Sequence, residues 1–365
     1  MNKETLHILL DDVVHLLKQL IAIPSLSKEE GGTAECIQHY LHKKKIIVHR
    51  SDNNVWCSNK YFDAAKPTIL LNSHHDTVPP NSEYNMNPYH PEMKDGKLYG
   101  LGSTDAGASL ACLLTAFIVF YEKQHMRYNL VFAATAEEEI SGPNGIESLF
   151  ALPQFKNCFY HPKSFAIVGE PTHMDLAITE KGLLVLDCIA HGKAGHAARE
   201  EGDNALYKAM HAINWFKNYR FDKISPLLGE VKMNVTSVST DNKVHNIIPA
   251  QCNFVVDIRT TEMYTPDEIL EIIKNNVDCD ITARSKRLRP SSIDPQHPAV
   301  QAGLKLGKKT FGSPTLSDQA LIPLPSLKCG PGNSAQSHTA NEYILLPDIK
   351  EGIDLYIKLI EEMNG

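Results

Sequence analysis

The stretch TILLNSHHD, residues 68–76, decides how this chain is read. Residues 68–72 form a short apolar run bounded by turn signals, the pattern of a buried strand. The run breaks directly into two imidazoles and a carboxylate, Ser73-His74-His75-Asp76. Two further apolar runs behave alike. Residues 130–135 lead into Ala136-Glu137-Glu138-Glu139, and residues 165–168 lead into Gly169-Glu170-Pro171. Between the first two runs, residues 109–122 are long and apolar enough for a buried helix. Strands alternating with helices predict an α/β fold around a mostly parallel sheet.

Working outward, the chain has 365 residues, 42% of them hydrophobic and 22% charged, with a net charge of −7. That length suggests two domains. A net acidic chain without a long Lys/Arg run is a poor candidate for binding nucleic acid. The longest apolar stretch, residues 110–121, is shorter than the ~20 residues that span a bilayer. The first 20 residues carry Asp11, Asp12 and Lys18 within a helical apolar period, which predicts an amphipathic helix and not a secretory signal. The eight cysteines are widely spaced, with no C-x-x-C pair. They predict reduced thiols in a cytoplasmic protein.

From residue 179 the pattern changes. Strands at 183–190, 231–240, 254–259 and 281–286 and helices at 204–217 and 266–276 give the order β-α-β-β-α-β of a ferredoxin-like unit. The expected organisation is an α/β domain made of residues 1–178 and 289–365, with an α+β domain of residues 179–288 inserted into it. The last segment ends in a helix at 347–363.

Seventeen histidines make this residue type abundant, and histidine is the commonest metal ligand. In open α/β sheets ligands bind beyond the carboxyl ends of the strands. Three strands here deliver a His, an Asp and several Glu to that edge. Asp105 follows a Gly-rich turn, Tyr99-Gly100-Leu101-Gly102-Ser103-Thr104-Asp105, and His338 follows Gly330-Pro331-Gly332. Converging carboxylates are stable as anions around a cation. Imidazole and carboxylate without Cys suit Zn, or Mn and Co. Two His and three carboxylates exceed one open catalytic zinc and suit two ions ~3.5–4 Å apart with a carboxylate bridging them. The turn Gly100-x-Gly102-x-x-Asp105 has Asp where a dinucleotide fingerprint needs its third Gly.

These boxes in this order resemble the co-catalytic zinc metallohydrolases that include acetylornithine deacetylase, succinyl-diaminopimelate desuccinylase, aminoacylase and glutamate carboxypeptidases. The resemblance rests on His74-His75-Asp76-Thr77-Val78-Pro79, Tyr99 to Asp105, Thr135 to Glu139, Gly169-Glu170-Pro171-Thr172, Gly195-His196, Asn246-Ile247-Ile248-Pro249 and Gly330-Pro331-Gly332 with His338. It spans nearly the whole chain. It implies that His74 and Glu170 hold one zinc, that Glu139 and His338 hold the other, and that Asp105 bridges them. It implies that Asp76 accepts from the ring N–H of His74 and that Glu138 is the general base. It further implies a homodimer through the inserted lid domain, with His196 reaching across from the partner subunit and Asn246 beside the substrate. Arg259 would bind the substrate carboxylate. The chain departs from the family's pattern at Gly107-Ala108, where Lys-Gly is usual. His75 fills a position usually held by a small residue, and strand alternation turns it away from His74.

The reaction implied is hydrolysis of the amide of an N-acyl amino acid, a small molecule. The pattern looks most like the acetylornithine deacetylase branch of arginine biosynthesis, with acetyl- or succinyl-ornithine or the citrulline equivalents as substrates. The alternatives are succinyl-diaminopimelate desuccinylase and a dipeptidase or carboxypeptidase of the same family. An alternative of another class is a catalytically dead, metal-stabilised binding protein.

Overall fold

The computed structural model describes residues 3–199 and 201–364. The chain divides into two compact units. The first comprises Met1–Thr179, Ser292–Phe311 and Ser317–Gly365; the second comprises Glu180–Ser291 and Gly312–Leu316. The return from the second unit therefore comes at Ser292 and not at 289, and Gly312–Leu316 belongs with the second unit instead of the first.

The first unit is built on a twisted sheet. Across it run the strands His49–Ser51, Asn54–Ser58, Asn129–Thr135, Thr68–His74, Phe165–Val168, Ser326–Lys328 and Leu176–Glu180. The four from Asn129–Thr135 to Ser326–Lys328 are mutually parallel, and their outer neighbours pair antiparallel. Alternation along each strand supplies both faces. Ile69, Leu71, Leu130 and Phe132 enter one core together with Leu16, Phe117 and Tyr356. Leu70, Val131, Ala133 and Val168 enter the other, against Phe155 and Phe159. Helices cover both faces, which is why these strands read as continuous apolar runs.

The expected buried helix is Ala108–Phe120. It packs between the sheet and the helices Lys3–Ile21 and Leu346–Asn364. Residues 103–120 match a membrane span in length and hydropathy, yet most of them are buried inside this unit. The apolar composition is that of a core helix.

The second unit realises the predicted order. Its strands Lys232–Thr240, Gln251–Thr260, Gly182–His191 and Asp280–Ala283 form, in that spatial order, an antiparallel sheet. The helices Ala205–Asn218 and Pro266–Lys274 start at real caps. Asn204 accepts from the Leu206 N–H. Thr265 and Glu268 form a reciprocal capping box, with Pro266 in the first turn where its missing N–H costs nothing. The last strand is shorter than expected and ends at Ala283, although Arg284 N–H still donates to the Val185 carbonyl at 2.9 Å.

Candidate metal centre

The parallel strands carry the site. Thr68–His74 extends two residues beyond the predicted run, so His74 is its last residue, in register with Thr135. Glu138 and Glu139 follow Thr135 on the neighbouring strand, and Glu170 follows Val168 on the other side. Gly330 lies just past the fourth parallel strand. A Cβ there would fall 2.4 Å from the Glu170 carbonyl oxygen and 2.2 Å from Ser109 Oγ, so only glycine lets this turn run along Glu170. Asp105 sits ahead of the buried helix, and its peptide bond to Ala106 is cis.

Five of the predicted residues form two groups that share Asp105. His74, Asp105 and Glu170 bring one ligand atom each within 4.8 Å of one another, and Asp105, Glu139 and His338 do the same. His74 Nε2 lies 3.2 Å from Asp105 Oδ1 and 3.6 Å from Glu170 Oε1. His338 Nε2 lies 3.0 Å from Glu139 Oε2 and 3.6 Å from Asp105 Oδ2. The two oxygens of Asp105 thus face different histidines, as a bridging carboxylate requires. Glu138 belongs to neither group; its Oε2 is 3.9 Å from His74 Nε2.

Asp76 has a wider part than predicted. The His74 Nδ1–H donates to the Asp76 backbone carbonyl at 3.0 Å, with the carboxylate Oδ1 at 3.3 Å. Nε2 is thereby turned toward Asp105. The same carboxylate accepts from the N–H groups of Glu138 (3.1 Å) and Glu139 (3.2 Å) and from the Ser27 hydroxyl (2.7 Å). Asp76 therefore ties the two strand ends together.

The electrostatics are those of a site built for cations. Burial pushes Glu138 well above the usual carboxylate range, and the charges of Glu170, Asp318 and Glu139 add to it. Burial and Asp105 push Glu170 up to about 8. Burial also raises Glu139. Burial alone would lower His74, but its hydrogen bonds to Asp105 and Asp76 raise it well above the usual imidazole value. The hydrogen bond to Glu139 pushes His338 up to about 9. Carboxylates that cannot all ionise and histidines that hold extra protons are what a metal-binding donor set shows before protons are exchanged for metal. The residues present fit divalent cations.

His75 points away from this cluster. Its Nε2–H donates to the Asn53 carbonyl at 3.0 Å, which leaves Nδ1 to accept from the Thr33 hydroxyl at 2.8 Å. Burial lowers its pKa to about 4. It is a neutral core histidine. Glu137 is likewise structural: at φ +55 it accepts from the backbone and side-chain N–H groups of Asn144, at 3.2 and 2.8 Å.

Glu30, Asp318 and Glu342 are buried acids that the sequence motifs do not include. Glu30 accepts from the Glu137 N–H at 3.0 Å. Asp318 accepts from the Thr135 hydroxyl at 2.6 Å. Glu342 accepts from three N–H groups of the Asp105 turn. None follows a predicted strand. The one signal was Glu342's position four residues after His338.

The remaining three candidates lie in the second unit. A two-residue ladder pairs His196 with Ile247, and Ala197 N–H donates to the Asn246 carbonyl at 3.0 Å. His196 and Asn246 are therefore neighbours, both exposed. Arg259 is not beside them. It lies eight residues along the strand from Gln251, roughly 27 Å at the rise of a strand. Its guanidinium is held in a fork by Asp257, at 2.9 and 3.1 Å.

The chain is similar to known proteins along nearly its whole length. Succinyl-diaminopimelate desuccinylase of Wolbachia sp. subsp. Brugia malayi (strain TRS) is 26% identical over 378 residues, covering 96% of this chain and 93% of the relative. The enzyme of the same name from Rickettsia bellii is 27% identical over 379 residues, covering 95% and 96%. Among solved structures, aminopeptidase PepT from Bacillus cereus superposes with a TM-score of 0.77 at 19% identity, covering 98% and 99% of the two chains. Bacillus subtilis YXEP, a dinuclear metal binding peptidase from the M20 family, gives 0.72 at 15% identity, covering 97% and 98%. The profile of peptidase family M20/M25/M40 matches residues 70–362, and this chain, a metal-dependent hydrolase, belongs to that family.

Proposed function

We propose that this enzyme hydrolyses the amide of an N-acyl amino acid, releasing a carboxylic acid and a free amine, and that N-succinyl-diaminopimelate is its substrate. The carrying observation is the pair of ligand groups that share Asp105, with Glu138 beside them and outside both. The relatives named as desuccinylases match along nearly their whole length. They favour succinyl-diaminopimelate, and with it lysine biosynthesis, over the acetylornithine reading that the sequence motifs first suggest. A dead binding protein has no use for the complete set of donors and base.

His74, Glu170 and Asp105 would hold one divalent ion, and Asp105, Glu139 and His338 the other. Zinc suits a donor set of imidazole and carboxylate, and Co or Mn are the alternatives. The chemistry such ions supply is a lowered water pKa and a polarised carbonyl. Glu138 then takes the water proton at a carboxylate oxygen and returns it to the leaving amine. Its raised pKa suits a base that must also act as an acid. His196 and Asn246 are donors of the right type for the tetrahedral oxyanion. Arg259, already forked to Asp257, offers its guanidinium to the substrate carboxylate.

A homodimer accounts for the placement of these three residues. His196 and Asn246 sit at one end of the second unit and Arg259 at the other, so one active site that uses all three draws on two copies. The edge strand Lys232–Thr240 and the exposed Tyr207 and Met210 on the helix Ala205–Asn218 offer a surface for the contact. All eight cysteines are free thiols, which supports a cytoplasmic enzyme.

The test is kcat/KM of the zinc-loaded protein for N-succinyl-diaminopimelate, acetyl- and succinyl-ornithine, the citrulline equivalents and several dipeptides. N-succinyl-diaminopimelate should lead by at least about tenfold, the discrimination a few pocket contacts supply. Preference for an ornithine derivative would return the assignment to the acetylornithine branch. Preference for dipeptides, or no turnover of any of these amides, would overturn the reading.

A further inference from the structure

We propose that Glu342 is the positioning residue that seats Asp105 between the two ligand groups, so that both groups depend on it although it belongs to neither. The inference rests on the two-ion reading above.

The observation is a carboxylate used up by backbone. Glu342 is 2% exposed. Its Oε1 accepts from the N–H groups of Thr104 (2.7 Å) and Asp105 (3.0 Å), and its Oε2 accepts from Gly102 N–H (2.9 Å). Successive N–H groups turned toward one point make a concave seat for an acceptor, and here the acceptor is the protein's own carboxyl group. Gly102 is at φ +73, and a Cβ there would lie 2.7 Å from Thr77 Cγ2, so the turn needs glycine. Backbone contacts extend the match. Gly100 N–H donates to the Glu342 carbonyl at 3.0 Å, and the Thr104 hydroxyl donates to the Tyr343 carbonyl at 2.6 Å. Residues 342–343 are therefore a template on which residues 100–105 are laid.

His338 lies on the same segment, four residues earlier. One short piece of chain supplies a donor to the second group and fixes the donor that both groups share. Removing His74 or His338 touches one group each. Loosening Glu342 moves Asp105, and with it both groups at once.

Glu342→Gln tests this. The amide keeps one acceptor oxygen but turns an NH2 toward a backbone N–H, so at least one of the three bonds is lost and replaced by donors facing each other. Zinc titration of metal-free protein should show both binding events weakened together by about 10–100-fold, the usual cost of losing an outer support of a metal site. Thr104→Val is the control, because it deletes the hydroxyl bond to Tyr343 and leaves the carboxylate seat intact. It should lower the thermal midpoint and keep both affinities within about threefold of wild type. Unchanged zinc binding by Glu342→Gln, weakening of one event alone, or equal weakening in Thr104→Val would each overturn the proposal. Should Glu342→Gln not fold, Glu342→Asp carries the same test, since it keeps the charge but withdraws it by one methylene. Wild-type protein that binds no metal would instead overturn the two-ion reading, which separates the two failures.

Discussion

The two ligand groups share Asp105 and differ in almost everything else. The first is set into the sheet: His74 is the final residue of a central strand and is 1% exposed, with its ring locked through Nδ1. The second leans on a loop: the His338 side chain is 56% exposed, its backbone is at φ +61, and its carbonyl is held by Asn81 at 3.1 Å. A donor at the end of a buried strand is preorganised by the packing of the sheet. A donor on a loop is held by a few local bonds, so it is cheaper to remove and freer to exchange. The first group reads as the structural anchor of the centre and the second as its adjustable half.

The widest separation should appear on truncating the two histidines. His74→Ala leaves Asp105 and Asp76 buried without their partner. It should cost on the order of 3–5 kcal/mol of stability in the metal-free protein, the scale for breaking a buried ion pair. His338→Ala removes an imidazole that is itself 56% exposed, although its partner Glu139 is 7% exposed, and should cost less than His74→Ala while removing one of the two ions. Urea unfolding and metal analysis of both variants measure this. Equal costs would erase the distinction between anchor and adjustable half.

A smaller effect sharpens the account of the anchor. His75, next to His74, is buried and neutral with a pKa of about 4, against about 6.5 in an unfolded chain. As pH falls below 6.5 the unfolded chain binds a proton that the folded one refuses until about pH 4. Stability is therefore lost through that window as pH drops, by about 3 kcal/mol in all. His75→Gln should flatten the fall in unfolding free energy between pH 6.5 and 4. An unchanged slope would mean that His75 is not held neutral by its burial.

A last effect concerns the loop. His338 must give up a proton that it holds up to about pH 9 before it can bind a metal. Affinity of the second group should fall about tenfold for each unit of pH below 9, close to 1.4 kcal/mol per unit. Metal titrations at pH 8, 7 and 6 measure it. An affinity independent of pH would place the proton elsewhere.

What was legible in the sequence had a local cause. Short apolar runs ending in His74, Glu138, Glu139 and Glu170 can be read because a strand's period and its end are written in consecutive residues. The capped helices and the β-α-β-β-α-β order of the second unit were legible for the same reason. Asp318 and Glu342 were not, because an acid that accepts from chain 183 residues away, as Asp318 does, or 237 and more, as Glu342 does, leaves no mark on its own neighbours. Arg259 entered through the resemblance, as a partner for the substrate carboxylate, and the structure adds Asp257 in its fork, because residues two apart on a strand share a face.

By itself, then, the sequence determined which residue types stand at the strand ends and so that the chain binds metal. Only the tertiary structure decided how they are shared: that the two oxygens of Asp105 face different histidines, that Asp76 ties two strands, and that His196 and Asn246 stand apart from Arg259. Donor chemistry is a property of single residues in order. Geometry at a shared carboxylate depends on chain segments that meet only when the sheet has formed.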